Sequence, residues 1–506
     1  MNSKILNSVC FIRKYGTQGH NTEEEYDYGR YKLCQQMKYN NKYGHAATYL
    51  LQYDALVDEK FTNVIRTESK EQDEIGLWLE VVKDLVEDAD MVWRGREGWS
   101  WDYYVNPGFM MSYKKDEKHK IIDTAMNRFY SEWGHYPKTI GSWLLDTETM
   151  EYLSEKYDAD AFIICREQWG MDGYTLWGGP YYGAYYPSKN NMQTPAQSPE
   201  NQINTPVFRM FINDPIYCYY EYAEEKYNDI KYGLFTQEPA WMCGQNPEWV
   251  RWQYDNIFKN DNVGFGYIQL GQESSFEWKD RVEIGLRMQM EFVKENIDDY
   301  GLVNMTVGEM GRLFKKQYKS TPMRAVGALT DWADKGNQSV WFNNKHYRVN
   351  VFSDKEQVWI RDIHIFKDEY RDKYLDEPCT TSSAIYDNPP IVDGIRMSDD
   401  NVKAGWFFGK GEIESFCEKD NCFYVNIKTE NGNITIKCLD NSIEITGEKD
   451  FAVDFVYSES SPFVKKTTDK CICYTHNGLD YKVEIACGSF SDNKLISDNN
   501  AITINL

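Results

Sequence analysis

Positive charge is scarce in this chain. Lys and Arg number 56 against 79 Asp and Glu, which gives a formal net charge of −23. Nucleic acids and anionic membranes are bound by clustered Lys and Arg, so the composition argues against both as partners. It also disfavours a polyanionic substrate unless arginines gather locally in a cleft. A neutral carbohydrate is the partner that fits this composition most simply.

The usual patterns of metal sites and membrane segments are also missing. The 12 Cys contain no CxxC pair and only 7 His accompany them, so we expect no zinc site and no other resident cofactor. Several cysteines, such as Cys165, sit in apolar runs typical of buried, reduced thiols, which favours the cytoplasm. The first residues lack the apolar run of a signal peptide, and no segment could span a bilayer. We therefore expect a cytoplasmic protein, unless a leader was removed. The oligomeric state stays open.

Aromatic residues are abundant. They make up 15% of the chain, with 38 Tyr, 24 Phe and 16 Trp. Flat aromatic rings fill large cores, and they also stack on the apolar faces of sugar rings. Composition does not decide between these uses, because the difference lies in exposure.

The first 330 residues predict an α/β fold. Seven apolar, strand-like runs alternate with amphipathic stretches, the pattern of an α/β barrel or a doubly wound sheet. The predicted strands are Val9–Ile12, Ala47–Tyr53, Glu74–Leu79, Thr139–Leu145, Ala161–Cys165, Val207–Ile212 and Val263–Leu270. The predicted helices are Asp27–Tyr39, Leu79–Asp88, Ile121–Trp133, Thr147–Lys156, Asn246–Phe258 and Trp278–Glu295.

The pattern of apolar and turn residues changes from about residue 335 onward. Short alternating runs are separated by Asn, Asp and Gly turns, and Asn431-Gly432 and Asn477-Gly478 are strong hairpin signals. This pattern predicts an all-β region, most simply a β-sandwich packed on the barrel. We predict a barrel over 1–330, a β-rich linking region over 331–400 and a C-terminal β-sandwich over 401–506.

Three short runs carry a family resemblance: Gly44-His45-Ala46-Ala47-Thr48-Tyr49, Glu74-Ile75-Gly76 and Lys138-Thr139-Ile140-Gly141-Ser142-Trp143. They resemble the second, third and fourth strands of the polysaccharide deacetylase-like superfamily, whose members include glycoside hydrolases. The chain also looks like uncharacterised bacterial proteins built from such a barrel and a C-terminal β domain. The resemblance implies an incomplete (β/α)7 barrel over about the first 300 residues, and action on a carbohydrate.

The chain departs from the deacetylase pattern at each metal-binding position. The family's first strand carries an Asp-Asp pair, whereas the run Val9–Lys14 here contains no acid. Asp73 stands where the first metal-binding His is expected, and Trp78 and Glu80 occupy the region of the second. The last strand carries a His in the family, whereas Gln269–Glu273 contains none. The resemblance therefore implies a glycoside hydrolase that works without a metal.

Two carboxylates are the candidates for catalysis. Functional side chains of α/β barrels lie at the carboxyl ends of the strands, and glycoside hydrolysis needs one ionised and one protonated carboxyl group there. Related barrel hydrolases place a nucleophile after the fourth strand and an acid/base after the seventh. That resemblance implies Asp146 as the nucleophile and Glu273 as the acid/base, with retention of configuration. Asp146 is equally suited to cap the helix that follows it.

Further acids and aromatic loops are candidates for substrate binding. Two aromatic loops, around residues 93–104 and 166–187, mix glycines with rings and charged groups, as binding loops do. Either loop could instead be an internal cluster or a lid packed on the β domain. Together with the expected strand-end acids, the candidates are Glu74, Glu80, Arg96, Trp101, Glu167, Trp169, Asp172, Trp177, Glu238 and Gln272.

Two alternatives to a glycoside hydrolase stay open. A metal-dependent carbohydrate esterase or deacetylase would need Asp73, Glu74, Glu80 and His45 to converge on one ion. A non-catalytic glycan-binding protein would show an aromatic cleft whose carboxylates are paired with arginine. The sequence does not identify the sugar, its anomer or its linkage.

Overall fold

The computed structural model describes residues 3–16, 21–219, 222–224, 230–232, 236, 245–260, 262–271 and 277–506. Seven parallel strands form one curved sheet in the order seventh, first, second, third, fourth, fifth, sixth, and the short strand Val303–Asn304 pairs beside the first. This nearly closed barrel confirms the predicted fold class. The strands are Lys4–Ile12, Ala47–Leu51, Glu74–Trp78, Thr139–Gly141, Ala161–Cys165, Val207–Met210 and Gly266–Leu270.

All seven predicted barrel strands are present, but one end of the fourth strand and one end of the seventh differ from the prediction. The fourth strand ends at Gly141, not at Leu145, so Asp146 does not follow it directly. The seventh strand begins at Gly266, because Val263 instead forms a bridge with Ala325 of the C-terminal region. Apolar periodicity cannot distinguish a strand from a buried loop, and both errors fall on buried loops.

A side chain spans the open seam of the barrel. The sixth and seventh strands are the two ends of the sheet. The hydroxyl of Tyr267, on the seventh strand, accepts a hydrogen bond from the backbone N–H of Arg209 on the sixth at 2.8 Å. The same hydroxyl donates to the carbonyl oxygen of Arg209 at 3.1 Å. One phenol thus satisfies both backbone groups that a neighbouring strand would otherwise pair.

Tyr267→Phe is expected to lower the free energy of unfolding by about 1–3 kcal/mol, because two buried backbone groups lose their partner. Chemical denaturation measures the change. The matched control is Tyr254→Phe, since Tyr254 is also buried and its hydroxyl has no hydrogen-bond partner within the described part of the chain. That control is expected to change stability by less than about 0.5 kcal/mol. Equal effects of the two substitutions would refute the bridging role of Tyr267.

Helices pack around the outside of the barrel. Several begin at side chains that bond the free backbone N–H groups of the first turn: Thr22 and Thr306 form capping boxes, and Asn246 caps a helix with Pro247 at its first position. The predicted helix at Trp278 starts with a π-helical turn, Trp278–Val282, and becomes α-helical at Glu283. The α-helices are Glu23–Tyr43, Tyr53–Leu56, Glu59–Glu68, Lys83–Asp88, Val105–Gly108, Lys115–Trp133, Thr147–Tyr157, Pro247–Phe258, Glu283–Tyr300 and Val307–Gln317, and short 3-10 turns span Met110–Ser112, Tyr217–Tyr219 and Lys373–Leu375.

The connection after the fifth barrel strand forms small sheets of its own. The strands Gln168–Met171 and Tyr174–Trp177 form a hairpin, and Tyr174–Trp177 also pairs in parallel with Ala384–Asp387. This pairing attaches the barrel's fifth loop to the C-terminal region. Two further strand pairs are Pro187–Ser188 with Asn191–Pro195 and Tyr222–Glu224 with Ile230–Tyr232.

The C-terminal region is a sandwich of two mainly antiparallel sheets. Apolar side chains from both sheets share one core, in which Phe342 stacks on Phe423 with ring centroids 5.2 Å apart. One sheet contains Arg324–Ala328, Asn337–Asn343, Tyr347–Asp354, Val358–Ile365, Pro390–Asp393, Gly405–Phe407, Ala452–Val456, Ser489–Ser491 and Lys494–Ile496. The other contains Gly411–Lys419, Cys422–Thr429, Gly432–Cys438, Ser442–Gly447, Val464–Thr468, Cys471–His476, Leu479–Cys487 and Ala501–Asn505.

Strands from the predicted regions 331–400 and 401–506 share the first of these sheets. The three-domain division stays a prediction, and residue 400 does not coincide with a boundary between sheets. Asn477 and Gly478 have φ of 44° and 84°, as a type I′ hairpin turn requires. None of the described helices is long and apolar enough to cross a membrane.

Candidate functional site

A buried ion pair lies at the carboxyl ends of the barrel strands, which we call the mouth. Arg13 follows the first strand and Glu80 follows the third. The Nη2 of Arg13 lies 2.9 Å from both oxygens of Glu80, and its Nε donates to Oε2 at 3.1 Å. Gln52, after the second strand, accepts from the same Nε at 3.3 Å. These three strand ends are adjacent in the sheet, so the barrel topology itself assembles the polar group.

Aromatic rings surround the Arg13–Glu80 pair. The guanidinium carbon of Arg13 lies 4.4 Å from the ring centre of Trp101, a geometry that favours a cation. Beneath the pair, Phe11 stacks on Trp78 at 4.4 Å, and the half-buried Trp143 meets Trp78 edge-on at 5.8 Å. Residue 141 must be glycine here, because a Cβ would lie 2.9 Å from the Trp78 ring. The result is a polar centre set in an aromatic wall.

Two buried donors at the mouth have no hydrogen-bond partner among the residues that the structure describes. They are the indole N–H of Trp78, the last residue of the third strand, and the hydroxyl of Ser142, directly after the fourth. Both residues are 0% exposed. Buried polar groups are nearly always hydrogen-bonded, so an unpaired group at a barrel mouth indicates a position for a ligand or an ordered water.

Glu74 does not lie at the mouth, and its expected position is wrong. It is the first residue of the third strand, so its carboxylate lies at the amino end of the barrel. There it accepts from the hydroxyls of Thr48 and Thr139 and from the backbone N–H of Gly308, in the first turn of a helix. The sequence pattern identified the strand correctly, but Glu74 was expected at its carboxyl end and lies at its amino end.

The contacts of Asp146 are those of a buried helix cap. Its Oδ1 accepts from the backbone N–H of Thr149 at 3.2 Å and from the ammonium group of Lys118 at 2.8 Å. Its Oδ2 accepts from the Thr149 hydroxyl at 2.8 Å. The side chains of Asp146 and Lys118 are 1% and 2% exposed. The geometry supports the capping alternative, and the catalytic role of Asp146 stays a prediction.

Asp146→Asn separates these two roles. As a cap and ion-pair partner, Asp146 is expected to contribute stability, so the variant loses about 1–3 kcal/mol by chemical denaturation while the folded fraction keeps its kcat. As a nucleophile, it would instead lower kcat by about 100-fold or more without a matching loss of stability. Measuring both quantities on the same preparation decides between the roles.

Glu167 and Trp177 are buried where the fifth loop meets the sandwich. Glu167 Oε1 lies 2.7 Å from Nη1 of Arg209 and 3.0 Å from Nη1 of Arg348, and all three side chains are 0% exposed. Trp177 is also 0% exposed, and its indole N–H donates to Asp393 at 2.8 Å. Both side chains are buried in contacts within the protein, and their role in substrate binding stays a prediction. This part of the loop packs against the C-terminal β region, as the alternative interpretation expects.

Other predicted binding residues divide between surface and interior. Trp169 is 41% exposed at the end of the same hairpin, with its ring edge-on to Trp177. Asp172 occupies the hairpin turn with a φ of 52°. Arg96 forms a two-pronged ion pair with Asp102, so it belongs to an internal cluster. Trp101 contributes to the mouth through Arg13. Glu238, Gln272 and Glu273 lie outside the described residues.

The metal-binding alternative required Asp73, Glu74, Glu80 and His45 to meet. Asp73 and Glu74 lie at the amino end of the third strand, and Glu80 lies beyond its carboxyl end. Six residues of extended chain separate Glu74 from Glu80 by roughly 20 Å, so these four residues do not form one site. Within the described ranges, no group of three or more His, Cys, Asp or Glu could hold a metal ion.

The sequence reasoning missed Arg13, Trp78 and Ser142 as site residues. A signal for Arg13 was available, because a basic residue follows the first strand where the resembling family carries acids. Trp78 stood out only because it occupies the region of the second metal-binding His, and Ser142 gave no signal. The significance of both rests on the absence of partners among the described residues.

A chain of buried charges continues from Glu167 into the sandwich. Arg348 binds Asp362 through two N–H groups, and the ring nitrogens of His364 face Asp362 at 2.9 Å and Asp393 at 3.2 Å. Arg396 then joins Asp393 to Asp387, both at 2.6 Å, and Nε2 of His476 lies 3.0 Å from Asp387. We call this set, from Glu167 to His476, the buried charge network. It links the barrel to both sheets of the sandwich.

The aspartates Asp362, Asp387 and Asp393 of the buried charge network are held ionised, because the pKa of each is lowered. Burial alone would raise the pKa of Asp387, but the hydrogen bond to His476 and the charge of Arg396 outweigh it and lower that pKa to about 2. Burial alone would also raise the pKa of Asp362. The charges and hydrogen bonds of Arg348 and His364 outweigh burial, so this pKa lies below its usual range. A carboxylate whose pKa is lower in the folded state stabilises the fold above its unfolded pKa. That contribution disappears as the pH falls through the folded value.

Acid is therefore expected to remove the contribution of Asp387 between about pH 4 and pH 2, an effect of about 2 kcal/mol. At neutral pH, Asp387→Asn should be less stable than the wild type by at least this amount, and the difference should vanish near pH 2. Urea denaturation across this range measures it. The difference in stability between the variant and the wild type does not contain the contributions of other buried acids. One of these is Asp54, whose pKa burial raises to about 6. A difference that is independent of pH would contradict the prediction.

The structure combines a nearly closed barrel of seven parallel strands with an all-β sandwich. A family model described as "Domain of Unknown Function with solved-structure structure (DUF3863)" matches residues 23–325. Because the match spans more than half of the chain, the protein belongs to the DUF3863 family. No curated protein matches the chain.

Two solved structures are similar to the chain. A Parabacteroides distasonis protein, named as a candidate glycoside hydrolase/deacetylase, superposes with a TM-score of 0.57 at 16% identity, covering 79% of this chain and 96% of that one. A Mycobacterium smegmatis protein, named as a candidate polysaccharide deacetylase, gives a TM-score of 0.38 at 10% identity, covering 62% of this chain and 91% of that one. At such low identity the first likeness shows the fold alone.

Proposed function

We propose that this protein is a glycoside hydrolase that acts on a neutral glycan or glycoside. The observation that carries the proposal is the mouth, where the strand ends bring the Arg13–Glu80 pair together with the indole N–H of Trp78 and the hydroxyl of Ser142, which have no partner among the described residues. A carboxylate paired with arginine also fits a non-catalytic glycan-binding protein, and the test below distinguishes the two. Arg13 offsets the charge of Glu80 in the resting pair, and Glu80 is the carboxylate at the mouth that we propose to face the oxocarbenium-like transition state. The two free donors are suited to sugar hydroxyls, which accept hydrogen bonds.

We assign Glu80 the role of stabilising the transition state, and Asp146, whose contacts are those of a helix cap, stays the predicted nucleophile. Glu273, which the family resemblance implies as the acid/base, remains the second carboxylate of the proposal. Retention of configuration is part of the proposal. It is checked by proton NMR of the anomer that is released first.

The surroundings of the mouth support a carbohydrate substrate. The half-buried Trp143 and the exposed Trp169 offer ring faces of the kind that stack on sugars. The net charge of −23 disfavours a polyanionic glycan. The candidate glycoside hydrolase/deacetylase from Parabacteroides distasonis shares the fold, and its name covers both reaction classes that the test distinguishes.

The test is a screen of the wild type on aryl α- and β-glycosides and on acetylated sugars, with and without a chelator. Release of the aryl group that a chelator does not affect would support the proposal and identify the sugar. Release of acetate would instead support a deacetylase. Glycan binding by calorimetry without turnover of either substrate set would show a non-catalytic binding protein and overturn the proposal.

A further inference from the structure

Two thiols lie side by side on the outer face of the sandwich. Cys471 and Cys473 belong to the strand Cys471–His476, and their sulfur atoms are 3.7 Å apart. Ile472 and Tyr474 alternate with them and are buried in the sandwich core, whereas both cysteines are only half-buried. Because alternate residues of a strand share one face, the two thiols form a pair that solvent can reach.

Lysines flank one member of the pair. Cys473 lies opposite Lys482 on one neighbouring strand and opposite Lys466 on the other. Lys482 also forms an ion pair with Glu484 at 2.5 Å, and the two lysines attract an anionic reagent to this part of the face. Cys471 lies opposite Glu484 instead, and burial raises the pKa of its thiol. We therefore take Cys473, which lies between the two lysines, as the sulfur that an anionic reagent reaches first.

The surroundings favour thiol–disulfide chemistry over metal binding. Zinc sites need three or four protein ligands. The described part of the chain contains no group of three or more His, Cys, Asp or Glu that could hold a metal ion, here or elsewhere. Two adjacent sulfurs without a third ligand are instead the arrangement of a dithiol that can close into a disulfide.

We propose that Cys471 and Cys473 form a redox-active dithiol that an anionic, low-molecular-weight disulfide oxidises to an internal disulfide. The Cys473 thiolate attacks one sulfur of the reagent, which expels one reagent thiolate and leaves a mixed disulfide on Cys473. Cys471 then loses its proton to solvent and attacks the Cys473 sulfur, which expels the second reagent thiolate. Two protein thiols and one reagent disulfide thus become one protein disulfide and two reagent thiols.

The geometry makes this bond reversible. Residues i and i+2 of an extended strand have Cα atoms about 6.6–6.8 Å apart, at the upper end of the disulfide range. Closing the bond must therefore pull the strand together around Ile472. A strained disulfide is more easily reduced, as regulatory disulfides are.

Peptide mapping tests the proposal. The folded protein is incubated with oxidised glutathione, free thiols are blocked with N-ethylmaleimide in denaturant, and the chain is cut with trypsin. One peptide, Cys471 to Lys482, carries both cysteines, because Lys470 precedes it. We expect this peptide unblocked and lighter by two hydrogen atoms, and doubly blocked after prior reduction. A doubly blocked peptide, or glutathione adducts without the internal bond, would overturn the proposal.

Two variants test the order of attack. In Cys471→Ser, the reaction is expected to stop at a glutathione adduct on Cys473, and the absence of that adduct would refute Cys473 as the attacking sulfur. Cys417→Ser is the matched control, since Cys417 is an exposed cysteine on another strand of the same sheet. The control should form the Cys471–Cys473 bond like the wild type. Loss of the bond in the control would show a different pairing and overturn the proposal.

Discussion

Glu80→Gln is expected to lower kcat/KM by about 100-fold or more on any glycoside that the wild type hydrolyses. Glutamine keeps the shape of the side chain, but only its carbonyl oxygen accepts hydrogen bonds from Arg13, because the amide NH2 group is a donor. It removes the negative charge, so a developing oxocarbenium ion loses its electrostatic partner. Steady-state kinetics with the best aryl glycoside from the screen measures the change, and circular dichroism shows whether the variant is folded.

The control for this experiment is Glu117→Gln, which makes the same chemical change in an exposed ion pair. Glu117 lies 2.5 Å from Arg94, and its side chain is 25% exposed. Exposed pairs contribute less than about 1 kcal/mol, so activity and stability should stay close to those of the wild type. Undiminished kcat/KM in Glu80→Gln, or an equal loss in both variants, would refute the assignment of Glu80.

Arg348→Met is expected to lower the free energy of unfolding by about 3–5 kcal/mol. Arg348 is 0% exposed, and its guanidinium contacts Glu167 of the barrel and Asp362 of the sandwich. Methionine fills part of the volume between Trp177 and Trp341 but supplies no charge. Two buried carboxylates then lose a partner at the contact between barrel and sandwich, and an uncompensated buried charge is costly. Urea denaturation followed by tryptophan fluorescence measures the change.

Arg371→Met is the matched control, because Arg371 and Asp376 form an ion pair whose side chains are 48% and 65% exposed. Solvent screens such a pair, so its loss should cost less than about 1 kcal/mol. Similar losses in the two variants would show that the buried charge network contributes no more than a surface pair. Increased proteolysis between residues 320 and 340 in Arg348→Met alone would locate the weakness at the contact between barrel and sandwich.

Much of the fold was predictable from local pattern. The run Ala161–Cys165 is a strand with the predicted ends, since five consecutive apolar residues suit a strand covered on both faces. Asn477-Gly478 forms the predicted hairpin, because both residues accept the positive φ of a type I′ turn. Errors concentrate at strand ends such as Gly141, where buried loops are as apolar as strands.

The site was less predictable, because a carboxylate's role depends on partners that are distant in sequence. The sequence pattern predicts that Asp146 and Glu167 are acids at strand ends. In the structure, Asp146 accepts hydrogen bonds from Lys118 and Thr149. Glu167 forms ion pairs with Arg209 and Arg348. The partner of Glu80 is equally distant in sequence, because Arg13 follows a different strand. No local pattern contains this information.

The sequence by itself determined the alternation of strands and helices, the change to an all-β region and the net negative charge, which disfavours polyanionic partners. These properties follow from residue periodicity, turn residues and net charge, which are local or additive. Only the tertiary structure decided which carboxylates are paired, that Trp177 is buried while Trp169 is exposed, and that Trp78 and Ser142 have donors without a partner in the described part of the chain. Burial and pairing arise from contacts between distant segments, and chain folding alone brings those segments together.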